Sequence, residues 1–457
     1  MSDSTTQSVL FPGIFAKRVV VKFDHEHSSS DGGALLLKAI DTRLGLSQRL
    51  TACVDDPRQP GKVRHAMLDL LRQRIYAIAC GYPDGNDAAR LAQDPIHKLM
   101  LERDPISGER LASQPTLSRF ENTPRRADLY RMTDALAEVV IGHHRRRLRG
   151  KVARITVDMD PTDDPTHGQQ EFAFYNAHYG NWCYLPVVVK LTFGEEAEPH
   201  VVGVVLRPGN APATAGAIPI LWRLFAKLRR AFPKAKLRVR LDGGYAAPEV
   251  FDFLDLEGVE YLVAMAKNAR LSPRGRRLMG RARRRAKRTG KTAHFYGETR
   301  YAARKWKRGP RRVIYKAEVV CLPGREPRDN LRFVVTNLSC SPRRVYELYR
   351  QRGDCENRIK ELHHGLELDR TSCSRFGANQ LRVVLTTAAY VLMQELRRHT
   401  RGTACAGAQV WTLRERLFKL GAWIEVSVRR VVVHLPQAFA YRDCWLQVAA
   451  RVGASTG

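Results

Sequence analysis

Three carboxylates far apart in the chain are the residues best placed to do chemistry: Asp160, Asp242 and Glu356. Asp160 closes the run Ile155-Thr-Val-Asp-Met-Asp160 and Asp242 closes Leu237-Arg-Val-Arg-Leu-Asp242. Both runs alternate apolar and polar residues, as a half-buried strand does. Gly243 and Gly244 break the second strand and leave its acid open to solvent. Residues two apart on a strand point the same way, so Asp158, Asp160 and Thr162 share a face. Asp158 therefore competes with Asp160 for the role of first acid. Glu356 lies in a helical stretch where spacings of three and four line up Tyr349, Arg352, Glu356, Lys360 and His363. The opposite stripe, Val345, Leu348, Ile359, Leu362 and Leu366, is apolar and should face a sheet. Hard divalent cations bind through few carboxylates plus water and phosphate oxygens. A pair of them can activate an attacking oxygen and stabilise a leaving one. Arg352 and Lys360 would hold phosphates beside such ions, and Tyr349 would pack on a sugar or base. Each acid alone has a plainer reading. Asp158 or Asp160 can cap the turn Pro161–Pro165, Asp242 can start the Gly-Gly turn, and Glu356 can pair weakly with Lys360.

Charge favours the chemical reading. The 77 Lys and Arg against 46 Asp and Glu give a net charge of +31, which suits a polyanion, nucleic acid first. Arg outweighing Lys fits a grip on phosphates. With 457 residues, 44% of them hydrophobic and 27% charged, the chain is globular and longer than a purely architectural basic protein. It is long enough for about two to four domains. No long basic amphipathic helix stands apart, which disfavours a membrane surface. The run Val187–Phe193 is interrupted by Lys190, so no segment is set to span a bilayer. Nine cysteines without CxxC spacing or Cys/His clustering disfavour a zinc site or a disulfide framework. The opening MSDSTTQSVLFPG lacks the basic and apolar regions of a secretion signal, and the expected compartment is a reducing cytoplasm.

The elements that must position the acids can be read from periodicity. Helices are expected over Gly33–Leu50, Val63–Cys80, Ala88–Leu101 and Ala127–Leu148. The segment Ser113–Phe120 admits a helix-turn-helix or a plain connecting turn. From Lys151 the period changes to two, with strands over Val152–Met159, Tyr184–Phe193 and Val201–Leu206. Helices Ala215–Phe232 and Ala247–Leu256 then alternate with strands Leu237–Leu241 and Tyr261–Ala266. A three-strand meander followed by alternating strand and helix is the order of a ribonuclease-H-like α/β core. The core is interrupted by the Arg-rich stretch Asn268–Lys291 and by strands over Ala293–Ala302, Val313–Val320 and Leu331–Thr336. It resumes with helices from Pro342 to about His364 and over Ala378–Arg397. The expected division is a helical DNA-binding region at 1–150, the first part of the core at 151–266 and a basic β-rich insertion at 267–338. The last part of the core, with the Glu helix, follows at 339–401, and a tail for DNA or dimer contacts at 402–457.

Arg283, Arg284 and Arg285 stand in the cationic stretch, read as a DNA track or as a solvated disordered loop. Trp306, in Arg304-Lys-Trp-Lys-Arg308, is read either as a platform for a flipped base or as cover for the insertion's core. Trp182, Tyr184 and Trp411 are read as core or interface residues, and Glu171 and His178 as strand-edge residues near the first acid.

Asp160-Pro-Thr162, Asp242-Gly-Gly244 and Tyr349-x-x-Arg352-x-x-x-Glu356 resemble the DDE transposases of bacterial insertion sequences in the IS4-like group, and within it the IS1380 family. Asp160-Pro-Thr-Asp-Asp-Pro-Thr-His-Gly-Gln-Gln-Glu171, Leu206-Arg-Pro-Gly-Asn210 and Glu356-Asn-Arg-Ile-Lys-Glu-Leu362 support the likeness, which runs from about Asp24 to the C-terminal region. The resemblance implies a ribonuclease-H-like catalytic domain with a β-strand insertion between the second and third acids. It also implies Mg²⁺-dependent cleavage at terminal inverted repeats, with two ions and Mn²⁺ as a substitute, followed by attack of the freed 3′-hydroxyl on target DNA. Asp160, Asp242 and Glu356 match the family's acids, with Asp160 favoured over Asp158 by the following Pro-Thr. Tyr349 and Arg352 match its helix signature. The wider group carries a Lys seven residues after the Glu, where this chain has His363; Lys360, one turn earlier, is the alternative. Implied partners are double-stranded DNA, as element ends and as target, and a second subunit in a homodimeric synaptic complex. No membrane partner is implied, and the place of action is the bacterial nucleoid. Two other readings stay open: a related metal-dependent nuclease or resolvase with the same acids but no strand transfer, and a non-catalytic DNA-binding derivative.

Overall fold

The computed structural model describes residues 9–11 and 13–455. Most of the opening segment on which the secretion-signal reading turns, Met1–Ser8 and Pro12, lies outside the described residues. The chain divides into two compact units. One gathers Arg58–Arg119 with both chain ends, up to Arg43 and from Glu395 onward; the other comprises Leu44–Pro57 and Phe120–Gln394.

In the first unit the N-terminal segment is woven into the C-terminal one. Ser28–Ser29 pairs with Ala422–Val426, which pairs in turn with Val431–His434. Gly33 N–H donates to the Phe418 carbonyl at 3.2 Å, and a Cβ at Gly33 would lie 1.7 Å from the Leu417 carbonyl oxygen. Only glycine permits that approach. Helix α1 (Met67–Cys80) buries nearly its whole length.

The second unit is built on an eight-stranded mixed α/β sheet. Its strands, with three short ones outside it, are numbered here in chain order. They are β1 (Arg154–Pro161), β2 (Asp164–Pro165), β3 (Phe174–Asn176), β4 (Asn181–Tyr184), β5 (Val187–Phe193), β6 (His200–Val205), β7 (Lys236–Leu241), β8 (Glu260–Met265), β9 (Ala293–Tyr301), β10 (Arg311–Val320) and β11 (Arg328–Thr336). The large sheet runs β9-β10-β11-β8-β7-β1-β5-β6, and β2, β4 and β3 form a small sheet of their own. β1, β5 and β6 are antiparallel neighbours, whereas β7 runs parallel to both β1 and β8. The parallel arrangement follows from the crossovers. Helix α2 (Ala217–Ala231) joins β6 to β7, and α3 (Pro248–Leu256) joins β7 to β8, each long enough to return the chain to the same edge. β5 is buried almost throughout because both faces of the sheet's middle are covered. Each Val or Leu so buried contributes about 1.5–3 kcal/mol.

The segment expected as a basic β-rich insertion, 267–338, continues the large sheet. β11 pairs antiparallel with β8, and β10 and β9 extend the same sheet outward. The Arg-rich stretch is neither coil nor loop but a helix, α4 (Arg276–Thr289). Met279, Ala282 and Ala286, spaced three and four apart, pack it on Ala293, Ala317 and Val319. Gly290, with φ of +64°, ends it.

The segment expected as one helix from Pro342 is broken. α5 (Pro342–Arg350) gives way to a 3₁₀ turn at Gln351–Gly353, then α6 (Asp354–Lys360), then a π-turn at Glu361–Gly365. Val345, Leu362 and Leu366 are buried as the apolar stripe requires. Helix α7 (Phe376–His399) follows. Among the described residues no helix is long and apolar enough to cross a membrane.

Candidate active site

The site forms where β1 and β7 end. Leu241 is the Cα partner of Met159, so Asp242 and Asp160, one residue further, stand level at the carboxyl ends of adjacent parallel strands. Open α/β sheets bind ligands at such ends. Asp242 caps the Gly-Gly turn, its Oδ1 accepting from Gly244 N–H at 2.8 Å. The plain role foreseen for it is thus real, yet it uses one oxygen only. The other lies 3.8 Å from Arg352 Nη2, and that nitrogen also donates to Asp160 Oδ1 at 2.6 Å. One guanidinium nitrogen therefore sits between the two carboxylates. Burial pushes the Asp160 carboxyl up to about 6, with Asp242 and Asp158 adding to the rise while Arg352 and Lys190 oppose it. Two hard oxygen donors converging on a cation are a donor set for Mg²⁺ or Mn²⁺, and an acid reluctant to ionise alone is one that a divalent charge would ionise.

In the row beneath, Asp158 is already paired. Lys190, Asp158 and Arg240 are Cα partners across β5, β1 and β7. Arg240 grips Asp158 with both arms, Nε to Oδ1 at 2.8 Å and Nη2 to Oδ2 at 2.7 Å, and all three residues are buried. Arg240 Nη1 also donates to the Leu348 carbonyl at 3.0 Å and to Gln351 Oε1 at 3.2 Å. The helix break that carries Arg352 is thus fastened to the strand below the acids. Lys190, with 0% of its surface exposed, has a buried Nζ with no hydrogen-bond partner. Its charge opposes the rise at Asp160.

The remaining expected site residues are placed unevenly. Tyr349 is half-buried, and burial raises its hydroxyl pKa with Asp242 and Asp160 adding to the rise. Glu356 and Lys360 are exposed on α6. Among the described residues Glu356 has no hydrogen bond or ion pair to Asp160 or Asp242. His363 Nε2 lies 3.2 Å from Thr162 Oγ1, beside the Asp160 strand end, while its Nδ1 is 3.6 Å from Asp369. Arg283, Arg284 and Arg285 are exposed on α4, Arg283 bound to Asp329. Trp306 is the departure. It is only 7% exposed and packs edge-on against Phe251 and Tyr301 with the Arg311 guanidinium 5.1 Å from its ring. It covers a core, and its ring presents no free face. Of the residues expected in a core or an interface, Tyr184 is buried, whereas Trp182 and Trp411 are exposed and so not part of the core.

Two further groups bring acids and histidines together: Asp31, Cys80 and His97 in one unit, and His144, Glu196 and His200 in the other. Both already hold a cation. Lys419 Nζ donates to Asp31 Oδ1 at 2.7 Å, and Arg147 Nη2 lies 2.6 Å from Glu196 Oε1. They are ion-pair clusters.

Asp164 was not foreseen. It is fully buried, and Thr371 Oγ1 donates to it at 2.9 Å. Burial pushes its carboxyl from 3.8 up to about 8, Asp369 and Asp163 adding to the rise and Thr371 opposing it. The folded chain therefore holds a proton that the unfolded chain releases at neutral pH. Its contribution to stability is complete below about pH 4 and is lost as pH rises through about 8, by about 1.4 kcal/mol per pH unit. Asp164→Asn, always neutral, is expected to lose this slope. Its melting temperature should match wild type near pH 4 and exceed it at pH 8; a wild-type advantage that widens with pH would contradict the assignment.

A level pair of strand-end carboxylates bridged by Arg352, in a strongly basic chain, is an arrangement suited to divalent ions and phosphate esters. The family model described as "Transposase DDE domain group 1" matches residues 11–456, and the chain belongs to that family, the DDE transposases. Among curated proteins none matches the chain. Among solved structures, a cryo-EM structure of the piggyBac transposase synaptic complex with hairpin DNA is similar, with 10% identity and a TM-score of 0.42 over 93% of this chain and 82% of that one.

Proposed function

We propose that the chain is the transposase of an insertion sequence of the IS1380 family, binding terminal inverted repeats, cleaving the ends and joining the 3′ ends to target DNA. The single observation that carries this reading is Arg352 Nη2, held between Asp160 and Asp242 at 2.6 and 3.8 Å. Asp160, Asp242 and Glu356 would hold two Mg²⁺ ions, or Mn²⁺ in their place, with Glu356 swinging in from the exposed face of α6. When bound, such ions polarise the scissile phosphate and lower the cost of an attacking oxygen. Arg352 then turns from the acids to the phosphate, as its charge-assisted fork suits either partner. Tyr349 packs on the neighbouring sugar or base, and Lys360 or His363 takes the place of the group's usual lysine.

The strand order supports a ribonuclease-H-like core, with an antiparallel meander of β1, β5 and β6 flanked by parallel β7 and β8. In this reading residues 1–150 bind the element ends, 267–338 form the insertion, and 402–457 make DNA or dimer contacts. Exposed Arg284 and Arg285 on α4 would track phosphates. Trp306 could reach a base only if its packing opened. The enzyme would act as a homodimer at the nucleoid.

Labelled DNA carrying the inverted repeats that flank the gene, mixed with protein, supercoiled plasmid and Mg²⁺, tests the reading. Joined products are expected. Cut products alone would make the chain a nuclease, and neither product would make it a non-catalytic DNA binder.

A further inference from the structure

Between β1 and β5 the chain leaves the large sheet and makes the small one, β2-β4-β3, which begins four residues after Asp160. This small sheet is unusually aromatic on its outside. Phe172, Phe174, Tyr175 and Trp182 are all exposed, Trp182 at 58%. Tyr175 and Trp182 are cross-strand partners, their rings 6.4 Å apart at 65°. A globular surface rarely leaves so many large rings together unless something covers them.

The backbone that carries these rings is held in place. Phe172 has a φ of +62°, a conformation that costs an aromatic residue energy and persists only where surroundings impose it. Its carbonyl accepts from Gly209 N–H at 3.2 Å, and its ring meets Phe376 edge-on at 5.4 Å. Gly209, of the Leu206–Asn210 stretch, lies so close under the hairpin that a Cβ there would be 2.0 Å from the Cys183 carbonyl oxygen.

Beside the rings opens a cavity of about 600 Å³, lined by Trp182, Thr166, Gln169, Gln170, Gly168 and Ala173. Thr166 Oγ1 is buried without a hydrogen-bond partner, and Gln169 is exposed. The loop clamped to this sheet, through Gln170 Nε2 donating to the Cys373 carbonyl at 2.9 Å and Phe376 N–H donating to Glu171 at 2.9 Å, carries exposed Arg370 and Arg375. Rings to stack on, an amide and an orphaned hydroxyl to meet a polar edge, and cations at the border make a combination that fits a nucleobase with its phosphate. It does not fit a purely apolar partner. The place is also near the acids. Asn181 Nδ2 donates to Asp163 Oδ2 at 3.3 Å, and burial pushes the Tyr179 phenol up to about 12, with Asp163, Asp160 and Asp242 adding to the rise.

We infer that the outer face of the β3–β4 hairpin is a stacking site for an unpaired nucleobase of the bound DNA, with Trp182 as the main platform and Tyr175 beside it. The inference rests on the DNA-transposase reading and adds to it a specific contact for single-stranded character next to the cleavage site. Duplex keeps its bases stacked on one another, so the site discriminates between paired and unpaired ends.

The test compares fluorescence anisotropy of the full chain on a blunt duplex and on the same duplex with a short oligothymidine extension. Wild type should prefer the extended duplex by about five-fold or more, the value of one base-aromatic stack. Trp182→Ala should bind both forms with the blunt-duplex affinity of wild type, and Trp182→Phe should keep most of the preference. Since Trp182 is largely exposed, unchanged affinity for blunt duplex also reports an intact fold. Equal wild-type affinity for both forms, or an undiminished preference in Trp182→Ala, would overturn the inference while leaving the transposase reading in place. A Trp182→Ala effect on self-association alone would overturn it in favour of a second copy of the chain as occupant. Failure of wild type to bind either DNA would instead overturn the reading on which it rests.

Discussion

Asp242→Asn is expected to bind DNA as wild type does and to cut it at least about a thousand-fold more slowly, since metal assistance to phosphoryl transfer supplies several kcal/mol and each 1.36 kcal/mol is tenfold in rate. The substitution keeps the shape of the side chain. Its amide oxygen can still accept from Gly244 N–H, so the cap on the turn after β7 survives. What is lost is the negative charge facing Arg352 across 3.8 Å. With one carboxylate fewer, the pocket has too little charge to attract a divalent ion, while the exposed arginines of α4 that would grip phosphates are untouched. Gel-based cleavage of labelled ends, run beside anisotropy for affinity, separates the two effects. Unchanged cleavage would remove Asp242 from the site.

Arg240→Met is expected to cost about 3–5 kcal/mol of folding stability, the usual penalty for breaking a buried ion pair from one side. Asp158 would be left buried with neither of its two donors from Arg240, and the nearby Lys190 ammonium faces it from β5 without forming a hydrogen bond. A second loss follows from the same change. The Leu348 carbonyl and Gln351 Oε1 lose the donor that pins the break between α5 and α6, so Arg352 is no longer held over Asp160. Arg240→Lys should recover part of the stability but little of the activity, because a single ammonium cannot both fork onto Asp158 and reach the helix break. Urea unfolding of the three proteins, with cleavage rates alongside, checks this. A loss in Arg240→Met below about 1 kcal/mol, within the range of an exposed pair, would contradict the role given to the row Lys190–Asp158–Arg240.

What could be read from sequence was what depends on neighbours close along the chain. The strand-end placement of Asp160 and Asp242 was legible because period-two runs end at them and a Gly-Gly turn follows one of them. The apolar stripe Val345, Leu362 and Leu366 was legible because helical spacing is local. Arg240 was not, since its partner Asp158 lies 82 residues away and its second role depends on where a helix breaks. Lys190 registered only as an interruption in an apolar run, and its burial beside two aspartates depends on strand pairing. Trp306, read among its charged neighbours, was a candidate for stacking; Phe251 and Tyr301, which bury it, come from another element and from across a turn. Trp182 had no local signal that its ring faces outward, because a short strand paired on both edges exposes one face only once its partners are known. The helix α4 was readable in principle from Met279, Ala282 and Ala286, a one-face pattern hidden by the arginines between them.

Asp160, Asp242 and Glu356 are together proposed to form one divalent-metal site. Calorimetric titration of Mg²⁺ into wild type and into Asp160→Asn, Asp242→Asn and Glu356→Gln, each with duplex DNA present, measures it directly. Saturable binding by wild type at neutral pH and a loss of at least about tenfold in affinity in every variant is the expected result. Wild-type affinity retained in any one of the three variants would contradict it.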